Sequence, residues 1–113
     1  MLGGGFFAYV NMMLPPKPES SEQVNRFDTD NATMRSYLEN NLFFEMSHSQ
    51  PWGKSQLECA IKIFGAEHVL FGSSYPVRKE WLVSGADFVR QLNISENEKD
   101  MILYENARKL YGL

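Results

Sequence analysis

Leu57, Ala60, Ile61 and Phe64 recur at i, i+3, i+4 and i+7, and Gly65 and the apolar run "HVLFGS" follow at once. This switch from helical to extended patterning constrains the fold more than any other feature of the chain. The four residues predict one buried stripe of a helix, which Gly65 can end in a left-handed conformation. Ahead of that helix, "LFFEMS" reads as a short strand, too brief and too aromatic to be a helix of its own. Strand, helix of about thirteen residues and strand predict a βαβ unit with a right-handed crossover and two parallel strands.

The flanking segments read as helices and one long loop. In "MLGGGFFAYVNMM" the residues Phe6, Tyr9, Val10 and Met13 suit one face of a short helix, and the prolines of "LPPKPESSEQ" end it. A polar loop is expected to about Asp28, then a helix capped by Asp30 or Asn31, carrying Met34, Tyr37, Leu38 and Leu42 on one side and ending around Asn40 and Asn41. After Pro76 a helix is predicted with Trp81, Leu82, Gly85, Phe88, Val89 and Leu92 along it. Ser95 and Glu98 form a capping-box pattern for a last helical stretch through "NEKDMILYENARKLYGL".

Composition narrows the class. A chain of 113 residues with 43% hydrophobic and 13% aromatic residues predicts one globular domain with a real core. Eleven Lys and Arg against fourteen Asp and Glu leave a net charge of -3 and no basic run, which argues against a nucleic-acid partner. Cys59 is the only cysteine, so no disulfide framework and no Cys/His metal set is expected, which suits a reducing compartment. No apolar stretch reaches bilayer length and the N-terminus lacks a secretory pattern, so the expectation is a cytoplasmic protein without a membrane partner.

The order of a Gly-rich turn, a helix, "NNLFFEMS", an amphipathic helix, "FGAEHVLFGSSYPV", a helix and "ISENEKDMILYENARKLYGL" resembles the C-terminal third of the amidohydrolase-related metal-dependent hydrolases. That group includes aminocarboxymuconate-semialdehyde decarboxylase and related decarboxylases and hydratases. "FGAEHVLFGSSYP" is similar to the family's last barrel strand, usually Phe-Gly-Ser-Asp-Tyr-Pro, and "ENARKLYGL" is similar to its closing helix. The resemblance implies an α/β fold that is part of a (β/α)8 TIM barrel: the last few βα units plus C-terminal helices, with residues 1–113 as a single partial-barrel domain. A whole barrel needs about 250 residues. The resemblance places the metal-binding His-x-His pair, a mid-barrel metal His and a catalytic His ahead of Met1. It implies no cofactor held by this chain alone, and a divalent metal, zinc or manganese, in a full-length parent.

The resemblance also puts Ser74 where the family has an aspartate at the mouth of the last strand. A hydroxyl is a weak zinc ligand and a poor base near neutral pH, which favours lyase chemistry or a metal-free binding role over hydrolysis. Ser74 is therefore one candidate catalytic residue. His48 is the other, at the exit of the preceding strand, although a lone loop histidine more often serves the surface. Tyr75 and Arg78 are candidate substrate contacts, and Arg78 can clamp a carboxylate with two parallel bonds or simply start a solvated helix. Glu45 is expected as a buried, paired structural charge, and His68, at the opposite strand end, as structural.

Two function classes follow. One is a fragment or shortened member of the family, a hydrolase or a decarboxylase acting on a small carboxylated or cyclic molecule, inactive alone. The other is a non-catalytic remnant. Both carry the expectation of self-association, because two parallel strands leave unpaired edges.

Overall fold

The computed structural model describes Ser36 and residues 40–113. Phe43–Leu113 packs as one compact unit, while Ser36 and residues 40–42 belong to a second. The helix expected over 6–13, the loop over 15–28 and the helix start near Asp30 lie outside the described residues. Asn40 and Asn41 are helical and Leu42 is not, so a helix ends where the sequence puts its end, with Asn40 Nδ2 donating to the Ser36 carbonyl at 2.6 Å.

Two short strands, β1 (Phe44–Glu45) and β2 (Val69–Leu70), pair in parallel with Phe44 opposite Val69 and Glu45 opposite Leu70. The Met46 N–H donates to the Leu70 carbonyl at 3.1 Å and carries the ladder one residue further. Side chains alternate across a strand. Phe44 is buried with its ring centroid 4.8 Å from that of Phe64, so Glu45 takes the other face of the sheet.

The connection differs from the single helix expected. A 3-10 helix, Ser47–Trp52, comes first, and α1 (Lys54–Phe64) starts only after Gly53 at φ 86°. Pro51 has no N–H to donate, so one continuous ladder of i to i−4 bonds cannot form through this segment. Ser49 holds the tight turn instead, with N–H and Oγ both donating to the Met46 carbonyl, at 2.8 and 2.6 Å. In α1 Leu57, Ala60 and Ile61 are buried as expected, while Phe64, the fourth member of the expected stripe, is half-buried. Gly65 ends it at φ 95°, its N–H bonded to the Ile61 carbonyl at 2.8 Å.

Ala66–His68 forms another 3-10 turn, so β2 begins one residue later than the apolar run does. The His68 N–H donates back to the Gly65 carbonyl at 3.3 Å, which binds it into the turn. Its side chain is buried with the ring 5.7 Å from that of Phe43.

α2 (Lys79–Arg90) buries Gly85 and Val89, with Leu92 just beyond. Leu82, on the same helix, is 50% exposed. Ser95 then caps α3 (Glu96–Asp100) with both halves of the expected box present. The helix continues through a π-helical turn, Met101–Glu105, into α4 (Asn106–Tyr111).

Phe44, Met46, Leu57, Val69, Val89 and Ile102 make the centre of the core, drawn from both strands and from α1, α2 and the π turn. The closing helix grips β2 twice. Asn106 Nδ2 donates to the carbonyls of Ala66 and Val69, both at 2.8 Å, and the Ile102 carbonyl accepts from the Phe71 N–H at 3.0 Å. Each contact satisfies a backbone group that an uncovered strand would leave to water.

Candidate functional site at the strand exits

Parallel strands joined through helices bring their C-terminal ends to one side of the sheet, which is where βα folds collect chemistry. The β1 exit is Met46, Ser47 and His48. The β2 exit is Gly72, Ser73, Ser74, Tyr75 and Pro76.

The β2 exit is a tight turn. The Tyr75–Pro76 peptide is cis, and the Ser74 carbonyl accepts from the Val77 N–H at 2.9 Å and from the Arg78 N–H at 3.2 Å. Ser74 itself sits at φ 54°, in the left-handed region that non-glycine residues seldom occupy. Ser73 Oγ accepts from the Tyr75 N–H at 3.4 Å. The turn leaves the Tyr75 side chain 59% exposed.

His48 and Arg78 meet on Trp81. The His48 ring stands edge-on to the Trp81 ring, centroids 5.3 Å apart at 83°, and the Arg78 guanidinium carbon lies 5.4 Å from the same ring centre. Arg78 also reaches Glu80 at 3.5 Å, an exposed pair that leaves the guanidinium open to exchange partners. So three of the four sequence candidates are joined: Ser74 holds the Arg78 backbone, and Arg78 shares an aromatic platform with His48. Tyr75 belongs by its place in the turn, and its side chain is turned to solvent.

Trp81 is the member the sequence reading missed as a site residue, since at helical spacing it reads as core. Its partner His48 is distant in sequence, and no local pattern links them. Beside this platform an open groove of about 780 Å³ runs between the 3-10 helix and α2, lined by Gln50, Arg78, Trp81, Ser84, Phe88 and Gln91 among others. Ser84 Oγ reaches Gln50 Oε1 at 3.3 Å across it.

Glu45 lies at the start of the β1 exit. Its Oε1 accepts from the Ser47 N–H at 2.7 Å and its Oε2 from Ser47 Oγ at 2.8 Å. The expected paired charge is half-buried, and among the described residues its partner is the neutral Ser47 and not a cation.

Among the described residues no group of three or more His, Cys, Asp and Glu side chains is placed to hold a metal ion. The donor set is poor for one: Ser74 offers a neutral hydroxyl, both Glu45 oxygens already accept from Ser47, and His48 stands edge-on to Trp81. These residues do not make a metal centre by themselves, and no step through a metal is derived for them.

A parallel strand–helix–strand unit with polar residues gathered at its strand exits defines an α/β protein. The amidohydrolase family model matches residues 31–113, and the chain belongs to that family. A crystal structure from Staphylococcus aureus, assigned as an amidohydrolase, is similar at 27% identity with a TM-score of 0.59. The likeness covers 69% of this chain and 24% of that one. It implies a fold of the TIM-barrel type. No curated protein matches the chain. Among the described residues no helix is long and apolar enough to cross a membrane.

Proposed function

We propose that the chain is the C-terminal part of an amidohydrolase-family barrel and supplies the substrate-contacting side of its site, for a small molecule bearing a carboxylate on a ring. The meeting of His48 and Arg78 on the Trp81 ring carries this reading. A guanidinium offers a planar fork to a carboxylate, the indole offers a flat apolar face to a ring, and the imidazole stands beside both as a proton donor or acceptor. Ser74 and Tyr75 add hydroxyls in the adjoining turn. With a serine at the position the resemblance gives to aspartate, the reading favours a lyase such as a decarboxylase over a hydrolase, in the cytoplasm. A divalent metal in a longer parent rests on residues outside those described.

Titration with benzoate, followed by the NMR signals of the Trp81 indole and the His48 ring, tests the reading. Both signals are expected to move and saturate in the native chain, and to stay put in Arg78→Ala. Benzoate that leaves both unmoved in the native chain would end this assignment.

A second reading, a non-catalytic remnant that self-associates, draws on Val77 and Val83, each 80% exposed. Sedimentation velocity separates the two: concentration-dependent dimers without benzoate binding favour the remnant.

A further inference from the structure

We propose that Glu45 is the positioning residue of this site: it sets where His48 leaves β1 and where the Ser74 turn leaves β2. The inference rests on the reading that the strand exits form the ligand site, and it names the residue that fixes their geometry. Two observations on different strands carry it.

On β1, one carboxylate oxygen accepts from the Ser47 N–H at 2.7 Å and the other from Ser47 Oγ at 2.8 Å. Both bonds are charge-assisted, and together they leave Ser47 one orientation. His48 is the next residue, and its ring reaches Trp81 only if the chain leaves Ser47 in that direction.

On β2, Gly72 sits directly against the Glu45 carboxyl group, so that a Cβ at position 72 would collide with Oε1 and the carboxyl carbon. Gly72 has an ordinary backbone conformation, so its lack of a side chain answers the need for space and not for a special φ. Glu45 thus fills the place of a side chain on the neighbouring strand, two residues before Ser74. Leu70 is the register partner of Glu45, and Gly72 follows two residues later, so the carboxylate stands over the segment that leads from β2 into the Ser74 turn. Among the described residues, Ser47 is the group that donates to this carboxylate.

The test is NMR of the whole chain without any ligand, so its failure is separate from failure of the benzoate experiment. In Glu45→Ala the ring-current shift that Trp81 imposes on His48 is expected to collapse, and the Ser47 amide to exchange about tenfold faster or more, as for loss of a bond to a charged group. Glu45→Gln keeps an acceptor for the Ser47 N–H and should retain most of the His48 shift. Gly72→Ala, on the other strand, should reproduce the His48 and Ser47 changes by displacing the carboxylate, and the double variant should add nothing to Glu45→Ala. A merely stabilising side chain would lower the unfolding midpoint and leave these native signals unmoved. If Glu45→Ala does not fold, Glu45→Asp withdraws the carboxylate from both contacts and reads the same signals. Native His48 and Ser47 signals in either folded Glu45 truncation, or in folded Gly72→Ala, would overturn the proposal.

Discussion

Asn106, on the closing helix, donates to the Val69 carbonyl at the start of β2 at 2.8 Å, and its second amide proton goes to the Ala66 carbonyl at the same distance. One buried side chain thus joins the last helix of the chain to the entry of the strand whose far end carries Ser74. The Ile102 carbonyl repeats the link one turn earlier by accepting from Phe71.

Asn106→Leu should destabilise the fold by about 2–4 kcal/mol, since two carbonyls lose their donor in a buried place. Asn106→Asp should be worse near neutral pH, because an ionised carboxylate has no proton for either carbonyl and adds repulsion. Part of that loss should return at low pH, where the acid regains a proton. Urea unfolding of both variants at two pH values checks the order.

Ser74 occupies the left-handed region, so the backbone decides which side chains it accepts. Ser74→Gly and Ser74→Asn should be neutral or stabilising by up to about 1 kcal/mol, and Ser74→Val destabilising by more than that. Ser74→Asp should also be tolerated. In a longer chain carrying the family's metal histidines it should tighten manganese binding, and unchanged calorimetric affinity there would mean that position 74 does not face the metal.

The Ser95 hydroxyl and backbone N–H hydrogen-bond the Glu98 carboxylate and hold it below the usual carboxyl range, with a slight opposing push from burial. A lowered folded-state value means that the contribution is present above the unfolded value, near pH ~4.3, and is lost as pH falls through the folded one. Ser95→Ala should therefore cost about 1 kcal/mol at neutral pH and less in acid. Thermal melts across that range would show a constant difference if the carboxylate took no part.

Gly65→Ala combines a φ of 95° with a Cβ that would strike the Glu67 carboxyl group. A loss of about 1–2 kcal/mol is expected from the backbone alone. Glu67→Ala should recover only the steric share, which a double-mutant cycle in denaturant would measure.

What the sequence determined by itself lies along single elements. Leu57, Ala60 and Ile61 are buried as their spacing requires, Gly65 ends the helix, Ser95 and Glu98 close the capping box, and two apolar runs pair in parallel. Each depends on neighbours within a few residues, so periodicity and capping chemistry suffice. The motif "FGSSYP" also placed Ser74 at a strand exit. What only the tertiary structure decided is which residues meet across elements. Pro51 and Gly53 split the expected helix, Leu82 turned outward, and His48 found Trp81 from another helix. Glu45 found space over Gly72, just past the end of the adjacent strand. No local pattern encodes these pairs, because each depends on how β1, β2 and α2 are set side by side, and that setting comes from core packing shared among Phe44, Val69, Val89 and Ile102.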